Sequence, residues 1–198
     1  FLDTVAHELK TPITGIRAAT ELILDDQEMD VEIKNQFLNN ILQDSDRLSR
    51  LIHNILDFEK LSTGREFLDL QKNSINKTIE KAINGVLQIA NKKSIRIIKL
   101  TKETVVLGYD EDRVLQVLTN LLSNAIKFCP INNGQISIEI KKTKKYCIIY
   151  VEDNGKGIIN EDKEYVFDKF YQSVNQNTIK PKGSGLGLAI SKQIVEMH

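Results

Sequence analysis

The sequence predicts an α+β chain: an N-terminal antiparallel helical hairpin over 1–64, completed as a dimeric four-helix bundle, followed by an α/β sandwich over 65–198. Three observations lead there. Apolar residues recur at helical spacing in two runs before Gly64, and beyond it short β-rich runs alternate with helices. Between the two regimes, Thr63-Gly64 has the character of a helix C-cap.

In the first run Leu2, Val5, Leu9, Ile13, Ile16 and Ile23 form one stripe, because a helix turns about 100° per residue. The polar stretch Asp25 to Asp30 reads as an interhelical turn. Leu38, Ile41, Leu42, Leu48, Ile52, Ile55 and Leu56 mark the second helix. Two amphipathic helices bury little surface on their own, so pairing with a second copy is expected.

Ser74 is placed to cap a helix carrying Ile75, Ile79, Ile83, Val86 and Leu87, and Ile95 to Leu100 and Val105 to Tyr109 read as short strands. A helix over Glu111 to Phe128 follows. Gln135 to Ile140 and Tyr146 to Val151 are β-rich runs separated by lysines, which suits adjacent antiparallel strands with helices on one face. A polar loop from Gln172 to Lys182 then leads through Gly183-Ser184-Gly185-Leu186-Gly187 into a final helix, Leu188 to Met197.

Lys+Arg and Asp+Glu both count 27, so net charge draws the chain neither to nucleic acid nor to anionic lipid. No apolar run approaches the roughly 18 to 20 residues needed to cross a bilayer. Cys129 and Cys147 lack C-x-x-C spacing and read as small buried hydrophobes.

Several motif readings fail on single letters. His7-Glu8 would open the zinc motif H-E-x-x-H, but position 11 is Thr. A Rossmann fingerprint needs glycine where Leu188 stands, and no Walker loop or serine/threonine/tyrosine kinase signature occurs. Glycines opening a helix still present free N–H groups to an anion. Asn120, Asn124 and Lys127 share a helical face at i, i+4 and i+7, a stripe suited to Mg²⁺ and phosphate but equally to solvent. Asp153, with Gly155 and Gly157 after it, has the means to meet the amine and plane of a flat ring, although such a segment is also an ordinary turn. Val166 to Tyr171 reads as the anchor of a lid or as core packing.

Taken in order, these segments resemble the sensor histidine kinases of two-component signalling over nearly the whole chain. His7-Glu8-Leu9-Lys10-Thr11-Pro12 resembles that family's H box, Asn120 to Phe128 its N box, Asp153 to Gly157 its G1 box, Phe167 to Phe170 its F box and Gly183 to Gly187 its G2 box. The resemblance implies a dimerisation and histidine-phosphotransfer hairpin followed by a gyrase-like (Bergerat) ATP-binding domain. It implies autophosphorylation of His7 by ATP, transfer to an aspartate of a response regulator, and phosphatase activity towards that regulator. The contrasting reading is a catalytically degenerate nucleotide-binding scaffold, against which the intact motif residues speak.

By that resemblance Glu8 accepts a proton from the His7 ring and Thr11 positions water for dephosphorylation. Asn124 holds Mg²⁺, Asn120 and Lys127 attend the phosphates, Asp153 reads the adenine amine with Gly155 and Gly157 beside the ring, and Gly183, Gly185, Leu186 and Gly187 frame the triphosphate. Related gyrase-type ATPases carry a water-activating glutamate where Asn120 stands, so its absence favours transfer over hydrolysis. The relatives' basic residue after the F box is Gln172 here, leaving Lys180 and Lys182 as phosphate contacts. The family pattern continues beyond His198, which implies a C-terminal strand absent from this chain. The resemblance also implies the cytoplasmic portion of a bacterial sensor, with any membrane contact made through segments not shown.

On a helical wheel His7 points about 160° from the centre of the apolar stripe, towards solvent and a second domain. An unperturbed imidazole, with a pKa of about 6.5, is mostly neutral near pH 7 and nucleophilic. Pro12 cannot donate to the Glu8 carbonyl, so a bend just past the reactive turn is expected.

Overall fold

The computed structural model describes residues 2–64, 66–101, 103–173 and 183–198. Lys180 and Lys182, with the rest of 174–182, lie outside the described residues. Helix α1 (Leu2–Asp25) and helix α2 (Val31–Ser62) form the expected hairpin. Asp30 caps α2, its Oδ1 accepting from the N–H groups of Glu32 at 2.7 Å and Ile33 at 3.4 Å. At the other end Gly64 has φ +64°, a left-handed conformation that suits glycine after a helix. Pro12 is fully buried within α1, which continues through it.

The remainder runs β1 (Gln71–Ser74), α3 (Ile75–Lys92), β2 (Arg96–Lys99), β3 (Val106–Tyr109), α4 (Glu111–Phe128), β4 (Gln135–Lys142), β5 (Cys147–Asp153) and α5 (Gly187–Met197). A short 3₁₀ turn, Asn160–Asp162, lies between β5 and α5. Strands β1 and β3 pair antiparallel, Gln71 opposite Tyr109. A second sheet has order β2-β4-β5, parallel then antiparallel, with Ile138 opposite Val151.

Alternation explains which face of β4 is buried: Ile136, Ile138 and Ile140 point inward. They meet Ile79, Ala82 and Val86 of α3 and Leu118 and Leu122 of α4, making a helix-on-sheet core. Ser74 stands at the start of α3 as expected, but its side chain makes no capping hydrogen bond. Because Ser74 ends β1, the N–H of Ile75 is satisfied by the Val105 carbonyl at 3.0 Å instead.

A second apolar cluster joins the two parts of the chain. Leu51, Phe58 and Leu61 of α2 are buried with Val117 of α4 and with Leu186, Ile190 and Ile194 at and within α5. None of the three α2 residues belongs to the stripe expected from the sequence, since α2 is apolar on two faces. Residues of the expected stripe, including Leu38, Leu42, Ile52 and Leu56, are exposed in the single chain.

Polar contacts flank this cluster. Asp57, only 6% exposed, accepts from Gln116 Nε2 at 2.9 Å and faces Arg113 Nη1 at 3.5 Å and His53 Nε2 at 3.6 Å. Arg113 also pairs with Glu66. Lys169 Nζ lies 4.4 Å from the centre of the Phe58 ring.

Candidate functional site

The hairpin and the sandwich bound one open cleft of about 1180 Å³. Its sandwich side carries Asn120, Asn124 and Lys127 on α4, Asp153 at the end of β5, Gly157, and Gly183, Ser184, Gly185 and Gly187 before and at the start of α5. Helical spacing brings the three α4 residues to one face, as their i, i+4, i+7 positions require.

Each carries a specific local constraint. Asn120 Nδ2 donates to Ser191 Oγ on α5 at 2.9 Å, and a Cβ on Gly187 would collide with the Asn120 carboxamide. A side chain at 187 would therefore require the Asn120 carboxamide to shift, and that carboxamide is already partly occupied by the helix–helix contact to Ser191. The Asn124 carboxamide lines the cleft with no hydrogen-bond partner among the described residues. Burial pulls the Lys127 ammonium below its ordinary value, and its Nζ lies 4.8 Å from the Phe128 ring centre.

Asp153 is exposed to the cleft, and its Oδ1 accepts from the Gly155 N–H at 2.8 Å. The neighbouring Asn154 fastens the end of β5: its Oδ1 accepts from the Gln135 N–H at 2.8 Å and its Nδ2 donates to the Asn133 carbonyl at 2.9 Å. Gly185 has φ +69°, and a Cβ there would lie 2.6 Å from the Phe170 carbonyl carbon. The Phe170 N–H donates to the Gly185 carbonyl at 3.0 Å, tying the aromatic segment to the glycine loop. Phe170 packs on the interdomain cluster while Phe167 is 46% exposed, so only the first joins a core.

Among the expected nucleotide residues Leu186 differs. Its side chain is fully buried in the interdomain cluster and does not line the cleft, which leaves it only a backbone contribution. A leucine at the N-terminus of a helix that docks on α2 satisfies the apolar contact first. Gly155 likewise is not at the cleft wall; its N–H serves Asp153.

On the hairpin side Glu8 lines the cleft, whereas His7 and Thr11 are exposed outside its lining. Thr11 Oγ1 donates to the His7 carbonyl at 3.3 Å, within one turn. Glu8 Oε2 lies 3.4 Å from Arg47 Nη2 on α2. The wall made by α2, including Arg47, Arg50 and Asn54, is absent from the expectation, as is Asp162, while Tyr171, expected as part of a lid anchor or core, lines the cleft. Asn54 Nδ2 donates to Ser184 Oγ at 3.3 Å, a direct link from hairpin to glycine loop. Tyr171 donates to Asp162 Oδ1 at 2.6 Å, which pushes the phenol up to about 12. Asp162 is held below its ordinary value by the hydroxyls of Ser173 and Tyr171. The signal available for the α2 wall was the polar series 47, 50, 54 at helical spacing, a pattern shared with any solvated face.

Two family models match this chain: the His Kinase A (phospho-acceptor) domain over residues 1–64, and the histidine kinase-, DNA gyrase B- and HSP90-like ATPase over 109–198. The chain belongs to the sensor histidine kinase family. This histidine kinase chain is 34% identical over 206 residues to the sensor protein ChvG of Rhizobium meliloti (strain 1021), covering all of the chain and 35% of ChvG. It spans about a third of the length of the curated relatives it matches. Its fold matches the Acinetobacter baumannii histidine kinase AdeS with TM-score 0.74 and 25% identity, over 96% of this chain and 86% of that one. It also matches the histidine kinase ThkA in complex with response regulator protein TrrA, with TM-score 0.69 and 26% identity, over 85% of this chain and 49% of that one. The ATPase-type match, which goes with use of ATP, spans the α4 and α5 segments that form one side of the cleft.

Proposed function

We propose that the chain is the kinase core of a sensor, taking the γ-phosphoryl group of ATP onto His7 and passing it to an aspartate of a response regulator's receiver domain. One observation carries this reading. A single cleft has Glu8 of the histidine turn on one side and Asn120, Asn124, Lys127, Asp153 and the glycine loop on the other.

His7 is exposed on α1, next in sequence to Glu8, which lines the cleft. As an imidazole nitrogen attacks, an N–P bond forms, the bond from the γ-phosphorus to the bridging oxygen breaks, and ADP leaves. The proton on the other ring nitrogen passes to Glu8, whose carboxylate lies 3.4 Å from Arg47 Nη2. Asp153 accepts from the adenine amine, and Lys127, uncomfortable as a partly buried cation, gains phosphate oxygens as partners. Thr11, one turn from His7, positions the water that hydrolyses the regulator's phospho-aspartate, breaking the bond from phosphorus to the carboxylate oxygen and releasing inorganic phosphate.

The donor set fits Mg²⁺. Among the described residues no group of three or more His, Cys, Asp or Glu forms a cage, and the unpartnered Asn124 carboxamide lies in the cleft. Magnesium takes few protein oxygens and completes its shell with water and phosphate, so Asn124 would hold it and the ion would offset phosphate charge. Ile13, Leu38, Leu42, Ile52 and Leu56 are 45–60% exposed in a single chain, which supports a second copy completing a four-helix bundle. The domain division that goes with this reading falls at Gly64.

The test is incubation with γ-labelled ATP and Mg²⁺. Acid-labile, alkali-stable label is expected on the protein and absent from His7→Gln. Label that persists in that variant overturns the assignment.

A further inference from the structure

The geometry points to Arg50 as a γ-phosphate contact supplied by the hairpin, an additional binding and catalytic residue for the transfer proposed above, on which this inference rests. Arg47, Arg50 and Asn54 follow one another at spacings of three and four, so they share one face of α2, and all three line the cleft. Asn54 at one end touches Ser184 of the glycine loop at 3.3 Å. Arg47 at the other end meets Glu8 of the histidine turn at 3.4 Å. Arg50 stands between, about 6 Å along the helix from Asn54 at 1.5 Å per residue. The face thus runs from the phosphate-binding loop to the phosphoacceptor turn, the path the phosphoryl group must take.

The cations on this wall are engaged unequally. Arg47 has a carboxylate partner, whereas Arg50 Nε donates only to the Asp46 carbonyl of its own helix at 3.2 Å, and among the described residues its guanidinium has no carboxylate partner. An exposed guanidinium facing a cleft that receives a triphosphate is a planar fork matched to two phosphate oxygens. During transfer the negative charge lies on the equatorial oxygens of the moving group, and a positioned arginine stabilises it there. Arg50 makes and breaks no covalent bond. It acts on charge while the N–P bond to His7 forms and the bond to ADP breaks.

Because the contact is to the γ-phosphate, it distinguishes nucleotides. The experiment uses the whole chain and the variants Arg50→Gln and Arg50→Lys, with calorimetric binding of ADP and of a non-hydrolysable ATP analogue, and with single-turnover labelling by γ-labelled ATP. Arg50→Gln is expected to leave ADP affinity within about twofold and to weaken the analogue roughly tenfold or more, the loss of one charged hydrogen-bonding group. Its labelling rate falls at least ~100-fold, with part recovered in Arg50→Lys. Equal weakening of both nucleotides would mean that Arg50 only supports the fold, and no change in either affinity or labelling would remove it from the site; either result overturns the inference. If the wild-type chain takes no label on His7, the transfer reading fails, and the comparison of ADP with the analogue still decides whether Arg50 meets a γ-phosphate.

Discussion

Arg113 holds the hairpin against the ATP-binding side, and its removal has a calculable consequence. Its side chain, 18% exposed, places the guanidinium between Asp57 of α2 and Glu66, whose side chains are 8% and 20% exposed. Arg113→Met leaves both carboxylates in place with their cation gone. Stranding one partner of a fully buried pair costs about 3–5 kcal/mol, but here Asp57 keeps Gln116 at 2.9 Å and the Glu66 side chain is 20% exposed, although its Oε2 is buried without a hydrogen-bond partner among the described residues. A discounted cost of about 2–3 kcal/mol corresponds to roughly 30- to 150-fold in the docking equilibrium. Amide hydrogen exchange is the direct assay, because it resolves which element opens. Protection of α5 around Ala189 to Ile194 is expected to fall by that factor, while Ile136 and Ile138 of β4, in the other core, keep theirs. Adding Asp57→Asn removes one stranded charge and is expected to restore part of the protection. Equal loss in α5 and β4, or no loss in either, would refute the docking role.

Two further outcomes follow from the loop around the cleft. Gly185→Ala forces a side chain into φ +69° and 2.6 Å from Phe170 backbone, so ATP binding measured by calorimetry is expected to be lost while β4 amides stay protected. The Tyr171 phenol, raised from 10.0 to about 12 chiefly by its hydrogen bond to Asp162, favours the folded state below its unfolded pKa. That contribution is lost as pH rises from about 10 to about 12; Asp162, lowered from 3.8, contributes above that value and loses it as pH falls through its folded pKa. Alkaline unfolding of Tyr171→Phe, followed by circular dichroism, is expected to lack the wild-type decline in that window.

The elements with strong periodicity were legible in the sequence. Helix α4 occupies Glu111–Phe128 as its apolar spacing and acidic first turn require, and the β4–β5 pair follows from alternation in Gln135 to Ile140. Strand β1 was not, because Gln-Lys-Asn-Ser has no apolar alternation; its pairing is decided by β3 across a gap in sequence. The motif residues on α4 and the glycine loop announced one side of the cleft. The other side was hidden, since Arg47, Arg50 and Asn54 look like any solvated helical face until the sandwich is docked on Leu51, Phe58 and Leu61. Leu186 shows the converse: it lies within a nucleotide motif, yet interdomain packing claims its side chain.

The most direct test of the account is to locate the phosphoryl group. After reaction with ATP and Mg²⁺, the chain is digested at alkaline pH and its peptides fragmented under conditions that preserve N–P bonds. One added phosphoryl group is expected on the peptide bearing His7, assigned to that imidazole. A phosphoryl group found only on His53, His198 or a hydroxyl side chain, with His7 unmodified, would contradict it.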